Sequence, residues 1–331
     1  MAQALNRICI YGAGAIGGWL GLRLAQAGCE VSVVARGATL EAVKANGLLL
    51  TQAASGATES VRVRASNSPA ELGVQDAVVV AVKAPAMSDV AKSIAPLIGA
   101  DTIVLTAMNG VPWWFFEGFG GKFQGHALKA VDPDGSIARH VPGKQIIGCV
   151  VHASCSLDGP GHVRQHFGNK LIVGEPSGEK TPRVRALISL LEGAGLEVAL
   201  SEQIQRDAWF KLWGNMTMNP ISAMTGATTD RVLDDDLVLA FIGNVMLEAK
   251  EIGARIGIPI DQQPQDRHAV TRKLGAFKTS MLQDVEAGKQ VELDALVTVV
   301  KELGALTEVP TPYTDALLGL ARLHARVRGL Y

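Results

Sequence analysis

The sequence predicts an α/β protein: an N-terminal Rossmann-type, doubly wound domain followed by an all-α C-terminal domain. A short apolar strand runs straight into a G-x-G-x-x-G turn that opens a helix. Apolar runs of strand length then alternate with helical patterns as far as residue 200, the pattern of a parallel sheet covered by helices. From Gln203 onward every periodic segment repeats at helical spacing. The boundary falls near residue 202, giving a cofactor domain over 1–202 and a helical domain over 203–331, each long enough for its own core.

The opening strand is Arg7-Ile8-Cys9-Ile10-Tyr11, followed by Gly12-Ala13-Gly14-Ala15-Ile16-Gly17 and a helical pattern from Trp19 to Ala27 that stops at Gly28. A lone G-x-G-x-x-G is weak evidence, but strand before and helix after make it the signature of a dinucleotide site. Gly12 permits the tight turn, Gly14 lets the backbone approach a pyrophosphate, and Gly17 lets helix and strand lie close. Gly12, Gly14, Ala15, Ile16 and Gly17 are therefore the candidate phosphate cradle, at a helix N-terminus that favours anions. The second strand, Glu30 to Ala35, ends in Arg36-Gly37. An NAD site would carry an acid there for the ribose hydroxyls; an arginine suits the 2′-phosphate of NADPH.

Two strand patterns follow, Gly47–Thr51 and Ser60–Arg64, then the apolar run Asp76 to Ala84 with Lys83 near its end. That is how a buried parallel strand looks as it reaches the ligand edge of the sheet, so Lys83 is a candidate cofactor contact. The run Thr102–Ala107 delivers Met108-Asn109-Gly110-Val111-Pro112, placing the Asn109 amide where it can meet nicotinamide, ribose or substrate. Trp113-Trp114-Phe115-Phe116 is too aromatic to be left in water and reads as a roof over the site or a subunit contact. Gly118 to Lys144 has little periodicity and reads as an excursion rather than core. Strand patterns resume at Ile146–Ala153, around His162–Arg164 and at Leu171–Val173, then a helix from Pro182 to Glu192 and a last strand Leu196–Leu200. His162 and His166 are four apart, but the segment is strand-like and has no acidic third ligand, so no metal site is expected.

In the helical half, Lys211, Asn215 and Asn219 recur every fourth residue between Trp209, Phe210, Trp213 and Met216. Each step of four drifts only about 40° around a helix, so the three form one polar stripe on an otherwise buried segment. A lysine walled in by aromatics gives up its proton near neutral pH, and carboxamides both donate and accept, which suits a proton donor with two positioning groups. The bland alternative is a lysine that snorkels to water from an interdomain helix. Pro220 removes a ladder donor and predicts a kink below the stripe. Further helical patterns cover Leu233–Ile256, Gln265–Phe277 and Glu292–Arg326. Thr279 or Ser280 reads as a helix cap, and a break at Gly288-Lys289 would let Ser280 and Glu292 reach one pocket.

The totals exclude other classes. With 31 basic and 32 acidic residues, nothing recruits nucleic acid or an anionic membrane by bulk charge. Cys9, Cys29, Cys149 and Cys155 contain no C-x-x-C and read as reduced thiols. Met1 to Arg7 lacks the apolar stretch of a signal peptide and no apolar run approaches a membrane span, so a soluble, cytoplasmic protein is the expectation. The aromatic cluster and the apolar helical half make a homodimer reasonable.

Through these residues the chain resembles the 2-dehydropantoate 2-reductases, or ketopantoate reductases, nearly end to end. The resemblance rests on Gly12-x-Gly14-x-x-Gly17, Lys83, Asn109-Gly110, Lys211-x-x-x-Asn215-x-x-x-Asn219-Pro220, Ser280-Met281-Leu282-Gln283-Asp284 and Glu292-x-Asp294. It implies that NADPH delivers hydride to the keto carbon of a branched 2-oxo acid on the path to pantothenate. It implies Lys211 as the acid, Asn215 and Asn219 orienting the substrate, and Ser280 on its carboxylate. It also implies Glu292 accepting from its hydroxyl, Asn109 bridging cofactor and substrate, and Arg36 and Lys83 on the cofactor. Two departures stand near the expected substrate mouth: the length of 118–144, and Val111-Pro112-Trp113-Trp114 where the family carries a glycine soon after Asn-Gly. One rival is a β-hydroxyacid dehydrogenase, which also places lysine and asparagine four apart on the first interdomain helix. The second asparagine with its proline, and the Ser280–Glu292 pair, argue against it. A catalytically silent NADP-binding regulator would have lost Lys211 or Glu292, and both are present.

Overall fold

A computed structural model describes residues 5–331, and the chain forms two units. The first comprises residues up to Met108, Trp114–His126 and Gly135–Ile204. Its elements in chain order are β1 (Arg7–Tyr11), α1 (Ala15–Gln26), β2 (Glu30–Val34), α2 (Gly37–Asn46), β3 (Leu48–Gln52), β4 (Thr58–Val61), β5 (Arg64–Ser66), β6 (Ala77–Val80), α3 (Met87–Ser93), β7 (Ile103–Thr106), α4 (Ser136–His140), β8 (Ile146–Gly159), β9 (His162–Gly174), α5 (Pro182–Gly193) and β10 (Glu197–Leu200).

All ten strands join one sheet, in the order β4-β3-β9-β8-β7-β6-β1-β2-β5 with β10 also beside β9. The run β5-β2-β1-β6-β7-β8 is parallel throughout. Its strand order reverses between β1 and β6, which is the switch point where an α/β sheet binds its ligand. Past β8 the sheet becomes mixed, because β8 and β9 form a long antiparallel hairpin.

The second part of the sheet wraps α1. Trp19, Leu20, Leu22 and Leu24 are buried all round the helix, so it is apolar on every side rather than amphipathic. Its glycines make room: a Cβ on Gly18 would lie 2.7 Å from Val163 of β9, and one on Gly21 would lie 3.0 Å from Ile10 of β1 and Leu48 of β3. One helix is thus gripped from two directions by strands distant in sequence.

Several expectations need correction. The strands anticipated around His162 and Leu171 are one strand of thirteen residues; polar residues at its solvent-facing middle, where even Phe167 is exposed, hide its continuity. Trp113 to Phe116 is internal packing rather than a subunit contact, for all four rings are buried. The Trp114 indole N–H donates to Thr106 Oγ1 at 3.2 Å, and Phe116 meets Phe115, Phe119 and Phe123 in edge-on and stacked pairs. The 118–144 excursion is partly core, since Phe123, Leu128, Ile137 and Val141 are buried.

The second unit comprises Asn109–Trp113, Ala127–Asp134 and Gln205–Tyr331, so two strips from the N-terminal half belong with the helices. The helices are α6 (Ile204–Thr225), α7 (Thr229–Asp234), α8 (Asp236–Ile256), α9 (Pro264–Arg272), α10 (Ser280–Glu286), α11 (Val299–Thr307) and α12 (Pro312–Val327), with a π-helical turn at Asp294–Thr298. The helix anticipated over 265–277 ends at Arg272, and the stretch 292–326 divides at Glu308, whose φ is +57°. The strips are tied in by backbone. Val111 N–H donates to the Ala295 carbonyl at 2.9 Å, and the Glu302 carboxylate accepts from Lys129 and Ala130 N–H at 2.8 and 2.7 Å. Trp209 and Trp213 face α8, where the Trp213 indole donates to the Met246 carbonyl at 2.7 Å and Gly253 leaves space for Trp209. The helix continues past Pro220 to Thr225 despite the lost donor. Among the described residues no helix is long and apolar enough to cross a membrane.

Candidate active site

The candidate residues form two sets, one in each unit. In the first unit β1 hands the chain to Gly12 at φ +98°, a conformation that costs an L side chain dearly. A Cβ there would also press on Val82 at 2.7 Å. Gly17 packs closer still, since a Cβ on it would stand 1.9 Å from the Gly12 carbonyl oxygen. Gly14 is different: its Cβ would meet nothing within 4 Å. Gly14 is also the N-cap of α1, with no side chain capping the helix. The first-turn amides of Ala15, Ile16 and Gly17 thus open onto clear space, which fits a pyrophosphate.

Arg36 sits in the N-cap position of α2 with an extended backbone. It is exposed, 3.7 Å from the exposed Asp89 carboxylate. An ion pair of this kind contributes about 0–1 kcal/mol, so the guanidinium can turn to a 2′-phosphate at little cost. Lys83 is not at a strand end. β6 stops at Val80, where its ladder partner Tyr11 gives way to the Gly12 turn, and Pro85 then sets a 3-10 turn over Ala84–Ala86 with Lys83 at its head. Both the Gly12 turn and Lys83 leave the carboxyl ends of β1 and β6, the two strands at the switch point.

In the second unit α6 sorts its residues as the periodicity predicts: Trp209, Trp213 and Met216 are buried, Lys211 and Asn215 are half-buried, and Asn219 lies deeper. The Lys211 ammonium donates to Asn109 Oδ1 at 2.8 Å, across 102 residues of sequence. Asn109 is held there by Gly110, whose φ is +83° and whose Cβ would stand 2.5 Å from the Ala295 carbonyl. Thr279 alone caps α10, accepting from Leu282 N–H at 3.2 Å. Ser280, the first helical residue, is half-buried, and its hydroxyl makes no hydrogen bond to the described residues. The anticipated break follows, with α10 ending at Glu286 and Gly288 at φ +64°. Glu292 is buried just ahead of the π-helical turn, a feature frequent at functional sites. The hydrogen bond joins Lys211 to Asn109; Asn215, Asn219, Ser280 and Glu292 are carried by the same unit on α6, α10 and the approach to the turn.

One residue was not singled out by sequence. Arg267 of α9 lays its guanidinium on α6 at Gly214, where a Cβ would come within 2.6 Å of Nε, and over the Phe210 ring at 5.6 Å. A glycine inside a helix costs about 1 kcal/mol against alanine, and Gly214 was the available signal. His162 and His166, in contrast, lie 2.8 Å from the hydroxyls of Thr51 and Ser156. Burial raises the Cys9 thiol to about 12, so it is no nucleophile.

Comparison with known proteins bears on both units. A model of the family described as ketopantoate reductase PanE/ApbA matches residues 8–178, and one of the C-terminal domain of that family matches 203–325. The chain is 45% identical over 326 residues to 2-dehydropantoate 2-reductase of Mesorhizobium japonicum, spanning 98% of this chain and 99% of that one. Among solved structures it is similar to a provisionally assigned ketopantoate reductase from Ralstonia solanacearum MolK2, with 58% identity and a TM-score of 0.94 over 99% of this chain and 100% of that one. It is also similar to 2-dehydropantoate 2-reductase from Geobacter metallireducens GS-15, with 26% identity and a TM-score of 0.83 over 96% and 99%.

Proposed function

The chain belongs to the ketopantoate reductase PanE/ApbA family of NADP-dependent oxidoreductases, and from that premise we propose that it reduces ketopantoate, or a closely related branched 2-oxo acid, to the 2-hydroxy acid. The observation that carries this reading is the 2.8 Å hydrogen bond from Lys211 to Asn109. It holds an ammonium donor at a fixed place on a half-buried helix face, with a carboxamide to each side.

When bound, NADPH supplies the hydride that becomes the new C–H bond at the keto carbon. Gly14 and the first turn of α1 would hold its pyrophosphate, Arg36 would pair with its 2′-phosphate, and Lys83 would contact it from just past the end of β6. Lys211 donates a hydrogen bond to the ketone oxygen, drawing electron density from the carbon, and passes that proton to the oxygen as the carbonyl π bond breaks. Water then restores the proton to the amine. Asn109 keeps Lys211 aimed, Asn215 and Asn219 fix the substrate's polar groups, Ser280 donates to its carboxylate and Glu292 accepts from its hydroxyl.

Oxidation of NADPH by the purified protein, followed at 340 nm with ketopantoate beside a panel of other 2-oxo acids, tests the reading. Ketopantoate is expected to give the highest kcat/KM. If it is inert while another oxo acid reacts, the mechanism survives and the place in pantothenate synthesis falls.

We place the reaction in the cytoplasm, a reading supported by four cysteines, none of them in a disulfide. A homodimer is the proposed assembly. Its support is α12, whose inner face packs Leu317, Leu318 and Ala321 while Tyr313, Leu320, Leu323 and Val327 line up on an exposed one. Light scattering should give twice the 34.8 kDa chain mass, and Leu323→Glu should halve it. A monomer at every concentration would reject the dimer.

A further inference from the structure

Arg267 is a cation without an anion among the described residues. Its side chain is half-buried, and among the described residues its guanidinium forms no ion pair and no hydrogen bond; Nε is shielded from solvent. Burial accordingly pulls its pKa below the usual arginine value. An unpaired charge drawn partly out of water is costly to keep, and proteins normally match it with a carboxylate. Here the fold has instead cleared a place for it. A Cβ on Gly214 would lie 2.6 Å from Nε, 3.1 Å from Nη2 and 3.3 Å from Cζ, so only glycine lets the group lie flat on α6. The Phe210 ring, one turn earlier, supports it at 5.6 Å.

That place adjoins the polar stripe. Gly214 is three residues beyond Lys211 and next to Asn215, and helix positions three apart are surface neighbours at about 5–6 Å. Phe210 and Gly214 form the ridge beside Lys211 and Asn215, rotated about 100°. We propose that Arg267, seated on Gly214, is an anion subsite that takes the carboxylate of the 2-oxo acid and makes the enzyme select acids over neutral ketones. This rests on the reading that the Lys211 face receives the substrate. Ser280 can hydrogen-bond a carboxylate but is neutral, so it separates an acid from its ester poorly; a guanidinium offers charge and a two-pronged donor.

The test compares ketopantoate with its methyl ester in wild type, Arg267→Met, Arg267→Lys and Gly214→Ala. Arg267→Met should raise KM for the acid about 30-fold, a change on the scale of a lost charged contact, with kcat within about threefold and the NADPH KM unmoved. The acid-to-ester preference should shrink by the same factor. Arg267→Lys should recover part of it, and Gly214→Ala, which lifts the guanidinium off the helix, should behave like a milder Arg267→Met. Calorimetric binding of 2-oxoisovalerate to the NADP+ complex gives a readout apart from turnover. If acid and ester weaken equally, or melting temperature falls with the preference intact, Arg267 is packing and the proposal is wrong. Failure of wild type both to reduce and to bind any oxo acid would overturn the reading of the Lys211 face and the proposal with it. Normal turnover with an unchanged Arg267→Met preference would overturn the proposal alone.

Discussion

Lys211→Ala is expected to lower kcat for the oxo acid about a thousandfold while leaving NADPH affinity unchanged. The size follows from what general acid catalysis contributes, about 10²–10⁴, and from how the lysine is held. A 2.8 Å bond to Asn109 aims the ammonium, and because a carboxamide oxygen accepts a hydrogen bond and carries no charge, this contact leaves the proton on the amine. Removing the ammonium leaves the alkoxide to form without its proton. Lys211→Arg should fail nearly as badly, for a guanidinium keeps its proton at any accessible pH. Asn109→Ala should cost less, since the ammonium remains but loses its aim. Steady-state kinetics at saturating NADPH with fluorescence titration of the cofactor separates these cases. A Lys211→Ala enzyme within tenfold of wild type would remove the lysine from the proton path.

The second large effect is a contrast between two glycines of one turn. Gly14→Ala should leave stability within about 1 kcal/mol, the usual range for a change of helix cap, because its new methyl group meets no protein atom. It should nonetheless weaken NADPH binding on the order of a hundredfold, as the methyl group takes the space of the pyrophosphate. Gly17→Ala should lose both. Its methyl group would sit 1.9 Å from the Gly12 carbonyl oxygen and 3.1 Å from the Ala81 Cβ, which forces α1 away from the strand it follows and costs about 3 kcal/mol. Urea unfolding beside cofactor titration resolves the pair. If Gly14→Ala binds NADPH as wild type does, the pyrophosphate lies elsewhere.

The legible parts of the chain were those where local chemistry decides the outcome. Strand, glycine turn and helix at residues 7–26 are set by adjacent residues. The α6 stripe is legible because helical periodicity alone puts Lys211 and Asn215 on one face and the tryptophans on another. What escaped were contacts made by chain closure. Asn109 is tied to the helical unit two residues further on, where Val111 N–H donates to the Ala295 carbonyl, a contact that no local pattern encodes. The Trp113–Phe116 cluster looked like surface business because its length of apolar ring has no partner nearby in sequence; its partners are Thr106, Phe119, Phe123 and the bare backbone of Gly148. Arg267 was invisible for a related reason. A charged residue in an amphipathic helix reads as solvated, and only the gap at Gly214 betrays where it goes.

The two strips that join the helical unit from the N-terminal half also govern how the molecule can be made. Residues 109–113 and 127–134 leave the ribosome well before Gln205, the start of the unit's main body. The Ala295 carbonyl and the Glu302 carboxylate that receive them come some 170 residues or more later. The helical unit therefore cannot be finished as it is synthesised, and its earliest pieces must wait for its last. By the same reasoning a fragment beginning at Gln205 is no autonomous domain: it would lack the loop that positions Lys211 and would leave the Glu302 carboxylate without its two backbone donors.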